Sequence, residues 1–159
     1  RSMNPDHADF APARPIPTEG TMRVRVRYCE CDPMGVVHHA SCIAWLEQAR
    51  TELLRQGGVS YRELEAAGVF LVVAGLEVSY RRPGRYDDVV EVVCRVMGGS
   101  RVKLEHEYQV RVAERGGTDA EAMRAAGDDL LITARTTLVC VGRDMRVRPL
   151  PDWLAPARP

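Results

Sequence analysis

The sequence predicts an α+β domain in which an antiparallel sheet of five strands wraps around one long helix. Residues 101–113 alternate between apolar and polar side chains, a period of two that is typical of a long strand with one solvent-facing side. Three further stretches, at 70–81, 88–97 and 130–141, are rich in β-branched and apolar residues, and each indicates a strand. Over residues 40–56, apolar side chains recur at helical spacing, which indicates one amphipathic helix.

The remaining elements follow from shorter patterns along the chain. Residues 22–28 also alternate and predict the first strand, and residues 60–67 predict a short second helix. The glycines at 57 and 58 end the long helix. Short connections between the later strands favour antiparallel pairing. The segment 114–129 contains three glycines and is expected to be a long loop, with room for one helical turn at 119–125.

Proline positions predict where the domain begins and ends. Of the ten prolines, only Pro33 and Pro83 lie between a cluster near the start of the chain and a second cluster near its end. Because proline cannot donate a backbone hydrogen bond to a sheet, both clusters indicate irregular segments. We therefore expect a folded domain at 21–150, a flexible Pro-rich tail at 1–20 and a second tail at 151–159.

Composition and charge exclude several classes of function. The chain has 159 residues, which is a usual length for one domain, and its 22 basic residues balance its 22 acidic residues. A dedicated binder of nucleic acid or of anionic membranes normally carries a basic excess, so we expect neither partner. No apolar run reaches the length of a membrane span, and the compact apolar core of a secretory signal is missing. We expect a cytoplasmic protein.

The cysteines do not indicate a metal site. The chain has five, an odd number, and most lie within apolar patterns. Cys29 and Cys31 are separated by one residue, and no second Cys or His pair lies at zinc-like spacing. The sequence therefore predicts reduced thiols and no bound metal.

The junction between the first strand and the long helix carries the candidate chemistry. Asp32 supplies a carboxylate, Pro33 and Gly35 favour a tight turn, and His38 and His39 lie where the helix begins. The first amides of a helix are unpaired, and the positive end of the helix dipole lies there, so an anionic intermediate is readily stabilised. An acidic group, a tight turn and free helix amides are together typical of an acyl-transfer site.

The same residues resemble a known family. The segment YCECDPMGVVHHAS at 28–41, continued by Trp45, Glu47 and Arg50, is similar to the strand–helix junction of hotdog-fold acyl-CoA thioesterases. The closest branches are the 4-hydroxybenzoyl-CoA thioesterase and the thioesterase associated with the Tol–Pal system. The segment LEVSYRRP at 76–83, followed by Asp88, resembles the stretch after the helix in that family. The likeness covers roughly residues 22–141.

The resemblance implies a fold, an assembly and a reaction. The fold would be a hotdog, with a five-stranded antiparallel sheet around one central helix. Two chains would pair into a continuous sheet, often as half of a tetramer, and the active sites would lie at the dimer interface. The reaction would be hydrolysis of an acyl-CoA thioester without a metal or redox cofactor. An acyl carrier protein remains open as an alternative carrier of the acyl group.

The resemblance also implies roles for individual residues. Asp32 would be the catalytic carboxylate, as a nucleophile or as a general base toward water. The backbone amide of His39 would polarise the thioester carbonyl while its imidazole lines the site, and Tyr28 would be a further site residue. Gly35 and His38 would contact the substrate. Basic residues would hold the coenzyme A arm, with four candidates: Arg81, Arg82, Arg85 and Lys103.

Departures from the family pattern leave the acyl group open. His38 stands where an aromatic residue is common, Cys42 replaces a tyrosine, and Ser41 replaces a frequent asparagine. Asp32 before Pro33 also fits a plain turn, and His39 also fits a residue that only caps the helix.

Two alternative functions remain. One is a hotdog hydratase acting on enoyl- or hydroxyacyl-thioesters, but that class places a histidine five residues after its aspartate. Here His38 and His39 follow Asp32 by six and seven residues, and no Asn-Pro lies between them. The other is a dimer that binds acyl groups or a partner protein without catalysis.

Overall fold

Five long strands and one long helix make up the structure, a computed structural model that describes residues 10–156. The long helix and most of the strands lie within a few residues of the predicted positions. The strands are β1 (Glu19–Arg25), β2 (Phe70–Tyr80), β3 (Val89–Gly99), β4 (Lys103–Arg115), β5 (Thr118–Asp119) and β6 (Leu130–Val141). The helices are α1 (Ser41–Gln56), α2 (Tyr61–Ala66) and α3 (Glu121–Ala125).

The sheet is antiparallel throughout, in the order β1–β3–β4–β6–β2, and the two-residue β5 pairs only with the end of β4. This topology places β2 at one edge of the sheet, although β2 directly follows the two helices in the chain. The edge position matters for the site, because the last residue of β2 lies beside the start of α1.

One face of α1 packs on the sheet and forms the main core. Cys42, Trp45, Leu46, Ala49 and Leu53 are all buried against apolar side chains of the central strands. These residues share one helical face, as the spacing predicts. Ile43, an apolar residue of the same helix, lies off that face and is 42% exposed. It lies toward the side of α1 that the sheet does not cover.

A second apolar cluster closes the other end of the sheet and includes both ends of the described chain. The Trp153 indole donates a hydrogen bond of 2.9 Å to the Phe10 carbonyl oxygen, and the two rings meet edge to face. Leu154 is buried in this cluster, and Ile16 packs against it. Packed contacts thus extend beyond residues 21–150, while the domain boundaries themselves stay a prediction.

Two segments differ from the sequence prediction. The first strand ends at Arg25 instead of continuing to residue 28, because the chain turns into a short 3-10 helix at Tyr28–Glu30. The segment 114–129 is not simply a loop. It contains the end of β4, the short β5 and the predicted helical turn as α3. Over residues 10–156, no helix combines the length and apolar character needed to cross a membrane.

Candidate active site

A buried carboxylate attaches the loop after β1 to the long helix. Glu30 is only 6% exposed, and its carboxylate accepts hydrogen bonds from the Arg27 backbone (2.8 Å), the Arg27 guanidinium (3.0 Å) and the Trp45 indole (2.9 Å). Burial raises the pKa of Glu30, but the hydrogen bonds from Arg27 and Trp45 outweigh it and leave the pKa below its ordinary value. Glu30 is therefore held in its charged form between the loop and α1.

Asp32 lies on a tight turn directly after this attachment. The Asp32 N–H donates to the Val36 carbonyl oxygen, and the Gly35 N–H donates to the Asp32 carbonyl oxygen, both at 2.9 Å. Gly35 has a φ of +78°, a left-handed conformation that favours glycine. Oδ1 of the half-buried Asp32 accepts the Met34 N–H at 2.9 Å. Oδ2 accepts no hydrogen bond from any residue in the described range, so one carboxylate oxygen is free for chemistry.

The loop is supported by the segment that leads from β2 to β3. Val36 pairs with Arg85, and the Val37 N–H donates to the Gly84 carbonyl oxygen at 2.9 Å. A Cβ at Gly84 would lie 3.0 Å from a Val37 methyl group, so the close approach of the two segments favours glycine. Asp88, which is 1% exposed, fixes the same segment through two hydrogen bonds from Arg115, at 2.9 and 2.7 Å.

Backbone and side-chain groups of Glu30 and His38 hold the start of α1. The Glu30 carbonyl oxygen accepts the His38 N–H at 2.8 Å and the Ser41 hydroxyl at 3.0 Å. The His38 carbonyl oxygen accepts the Ser41 N–H at 2.9 Å. The His38 imidazole accepts the Ala40 N–H at Nδ1, at 3.1 Å, so a neutral His38 ring carries its proton on Nε2.

The backbone of His39 is held on one side and free on the other. Its carbonyl oxygen accepts the Tyr80 hydroxyl at 2.7 Å and the Cys42 thiol at 3.2 Å. Its N–H has no acceptor within residues 10–156. His39 directly precedes the N-cap residue of a 16-residue helix, so its unpaired amide is a donor that can receive negative charge near the positive end of the helix.

A depression of about 290 Å³ opens beside this helix start. It brings together four of the predicted site residues, because the lining consists of Val37, His38, His39, Tyr80, Arg81, Arg82, Pro83, Gly84 and Ile132. Arg82 forms an ion pair with Asp128, whereas Arg81 is exposed and has no ion pair in the described part of the chain. The depression therefore places an uncompensated positive charge beside His39, whose amide is unpaired among the described residues.

Other predicted site residues lie outside this depression. Asp32, Gly35 and Arg85 are on the adjoining segments, and Tyr28 is 81% exposed with its ring edge-on to Tyr86.

Lys103 lies at the opposite end of the sheet from the depression. It pairs with Val139, whereas Tyr80 at the depression pairs with Ile132. The seven intervening steps along β6 span roughly 23 Å. A single chain therefore does not bring Lys103 to the three arginines.

Three contributors to this site were not predicted from the sequence to have a role in it. Glu30 stands in a polar stretch, where a buried role is not expected of a charged residue. Tyr80 ends an apolar strand, and Asp88 follows a turn, so neither indicates its partner. Among residues 10–156, no group of three or more His, Cys, Asp or Glu side chains is placed to hold a metal ion.

The fold and the junction define the class of protein, and comparison with known proteins identifies the family. Residues 26–157 match the model of the thioesterase-like superfamily, which is most of the chain, so the protein belongs to that superfamily. The α+β hotdog fold and the family resemblance predicted from the sequence are both confirmed.

Individual relatives are similar over most of their length. The acyl-CoA thioester hydrolase YbgC of Escherichia coli O157:H7 is 35% identical over 129 residues, which cover 80% of this chain and 87% of YbgC. The solved structure of the hypothetical protein TT1821 from Thermus thermophilus has a TM-score of 0.68 at 36% identity, covering 83% of this chain and 91% of TT1821. A 4-hydroxybenzoyl CoA thioesterase structure shares the fold, with a TM-score of 0.70 at 19% identity over 86% of this chain and 95% of its own.

The Glu30 attachment predicts a stability change that depends on pH. Replacing Glu30 with Gln should lower the free energy of unfolding at pH 7 by roughly 1–3 kcal/mol, because the charge-assisted bonds to Arg27 are lost. Since the folded pKa lies below the ordinary 4.5, this stabilisation is present above pH 4.5 and is lost as pH falls through the folded pKa. Urea denaturation at several pH values measures this difference, with Glu52→Gln as a control at a partly exposed ion pair on α1. A difference from wild type that does not shrink at low pH would contradict the assignment.

Proposed function

We propose that the protein hydrolyses acyl-CoA thioesters to a carboxylic acid and free coenzyme A. One observation carries the proposal: a carboxylate with a free oxygen, on Asp32, and a free amide N–H, on His39, belong to one loop–helix junction that Glu30 holds together. The YbgC relative is named as an enzyme of this activity. The mechanism uses no metal or redox cofactor.

The Asp32 carboxylate and the His39 N–H would have different roles in the reaction. The thioester carbonyl oxygen would accept the His39 N–H, and the positive end of α1 would stabilise the negative charge that develops as the carbonyl carbon becomes tetrahedral. Asp32 would either attack that carbon, giving an anhydride that water opens, or remove a proton from an attacking water. In both routes the C–S bond breaks, the thiolate leaves and takes up a proton, and the acyl group leaves as a carboxylate. His38 and Gly35 would shape the acyl side of the site, and Tyr28 would lie at its rim.

The active unit in this proposal is a dimer formed through the edge strand β2. Leu76 and Tyr80 lie at this edge on the helix side and are 41% and 52% exposed, and the outer backbone of β2 has no partner strand among the described residues. Pairing two β2 strands would cover these side chains and continue the sheet. A second chain would also close the depression, which Asp32 and Tyr28 do not line in one chain.

The arginines near the site suggest how the carrier of the acyl group would be held. Arg81 and Arg85 would hold phosphates of coenzyme A, an acyl carrier protein being the alternative donor, while Arg82 is already paired with Asp128. Lys103 would contribute only to a phosphate held far from the helix start.

All five cysteines are free thiols, which fits a cytoplasmic protein.

Replacing Asp32 with Asn should abolish most of the activity without unfolding the protein. An amide cannot act as nucleophile or base, so kcat for acyl-CoA hydrolysis should fall about 100-fold or more. The Asn oxygen can still accept the Met34 N–H, so the melting temperature should stay close to wild type. Thiol release from benzoyl-, short- and medium-chain acyl-CoA measures kcat, with Asp119→Asn as the control on the exposed strand β5. Wild-type turnover in the Asp32 variant would refute its catalytic role.

Replacing Arg81 with Gln should weaken binding of the coenzyme A arm. KM for an acyl-CoA should rise severalfold with kcat unchanged, because a phosphate contact acts equally before and during the reaction. KM for the same acyl group on N-acetylcysteamine should not change, since this thioester has no phosphate. Arg62→Gln, an exposed change on α2, is the matched control. An equal rise in KM for both substrates, or no rise for either, would contradict the phosphate contact.

The dimer is tested at its proposed edge. Replacing Leu76 with Lys should give a monomer with strongly reduced kcat, because a charge on this edge opposes strand pairing. Sedimentation equilibrium and the thiol-release assay measure mass and activity together. Met97→Lys changes an exposed residue of similar size on β3, and it should remain dimeric and active. A wild-type chain that is monomeric and fully active would overturn this assembly.

A further inference from the structure

The peptide groups on both sides of His39 are held by hydrogen bonds. The peptide before His39 is fixed through its carbonyl oxygen, on His38, which accepts the Ser41 N–H at 2.9 Å. The peptide after His39 is fixed at both ends, because the His39 carbonyl oxygen accepts the Tyr80 hydroxyl and the Ala40 N–H donates to the His38 imidazole. Of the N–H and C=O groups in these two peptides, the His39 N–H is unpaired within the residues that the structure describes.

Tyr80 provides the shortest of these contacts and the one that comes from another element. Its hydroxyl lies 2.7 Å from the His39 carbonyl oxygen, and the two residues are 41 positions apart in the chain. The other donor to that oxygen is the Cys42 thiol at 3.2 Å, and a thiol is a weak donor. Partial burial raises the pKa of the Tyr80 hydroxyl, which keeps it protonated and able to donate. The edge strand β2 thus fixes the peptide at the start of α1.

We infer that Tyr80 is a positioning residue for thioester hydrolysis: by holding the His39 carbonyl oxygen, its hydroxyl restrains the His39 backbone on one side and so helps to keep the N–H on its other side directed at the thioester oxygen. The inference rests on the proposed function. A donor lowers the barrier only when it is already oriented toward the developing charge, since reorienting it during the reaction costs part of the gain. With the Tyr80 hydroxyl removed, the His39 carbonyl oxygen keeps only the weak thiol donor. The Ala40 N–H contact with His38 is then the main restraint on that peptide, so the His39 backbone is held less firmly.

About half of the Tyr80 side chain is exposed, so its positioning role can be tested apart from any contribution to core packing. Its exposed fraction is 52%, and its ring lines the depression beside His38 and His39. Removing only the hydroxyl group keeps the ring, its contacts with the depression and the fold. The change therefore removes the bond to the His39 carbonyl oxygen together with a longer contact of 3.8 Å between the hydroxyl and the Cys42 sulfur.

Replacing Tyr80 with Phe should lower kcat about tenfold and leave KM for acyl-CoA within about a factor of two, because the lost orientation acts on the transition state. Amide hydrogen exchange over residues 38–43 should become faster, while the melting temperature changes little. Tyr86→Phe is the matched control, because Tyr86 is 56% exposed and its hydroxyl makes no hydrogen bond to any described residue. It should match wild type in all three measurements.

A second substitution tests the same carbonyl oxygen by rescue. Replacing Cys42 with Ser puts a stronger donor at nearly the same position, so the double variant Tyr80→Phe with Cys42→Ser should recover several-fold in kcat over Tyr80→Phe alone. The single variant Cys42→Ser gives the reference for any effect of the serine itself. A residue that only packs against the helix would not be rescued by a hydroxyl at position 42.

The outcomes separate this inference from the proposed function. If wild-type protein releases no thiol from any acyl-CoA, the proposed function fails. If wild type is active and Asp32→Asn is not, but Tyr80→Phe keeps wild-type kcat, the positioning role alone is overturned. A rise in KM at constant kcat would also overturn it, because Tyr80 would then be a binding residue. A loss of kcat in Tyr80→Phe with rescue by Cys42→Ser supports it.

Discussion

The buried carboxylate of Glu30 is the constraint on which the site depends. A charge removed from water is tolerated only when donors surround it, and here Arg27 and Trp45 supply them from the loop and from α1. The carbonyl oxygen of the same residue binds the His38 N–H and the Ser41 hydroxyl. Asp32 follows two residues later, so the acidic group and the helix start are both placed relative to Glu30. This geometry exists before any substrate arrives, which is what electrostatic stabilisation requires.

The sheet topology adds a second support from the opposite direction. Because β2 lies at the edge, its last residue, Tyr80, reaches the His39 carbonyl oxygen, and the chain then crosses to β3 beneath the Asp32 loop. Asp88 and Arg115 hold that crossing in place. The loop is therefore fixed from α1 through Glu30 and from the sheet through β2. Tyr80 lies at the proposed dimer edge and also contacts the His39 carbonyl oxygen. Dimer formation and orientation of the His39 amide therefore both involve this residue.

Much of the fold could be predicted because it depends on local periodicity. The alternation in β4 and the helical spacing in α1 are properties of neighbouring residues, and both elements occur near the predicted positions. The turn at Asp32 was also predictable, since proline and glycine restrict the backbone locally. The burial of Glu30 was not, because it depends on Trp45, 15 residues away. The burial of Arg50, which is 8% exposed on the central helix, likewise depends on tertiary packing. The distance between Lys103 and the arginines depends on the order of the strands in the sheet.

The most direct test of the account is a crystal structure of the full chain with an unreactive acyl-CoA analogue, in which a methylene group replaces the thioester sulfur. The account predicts that the analogue's carbonyl oxygen lies about 3 Å from the His39 nitrogen, with an Asp32 carboxylate oxygen about 3–3.5 Å from the carbonyl carbon or one water away from it. A carbonyl bound away from the start of α1, with Asp32 out of reach, would contradict it.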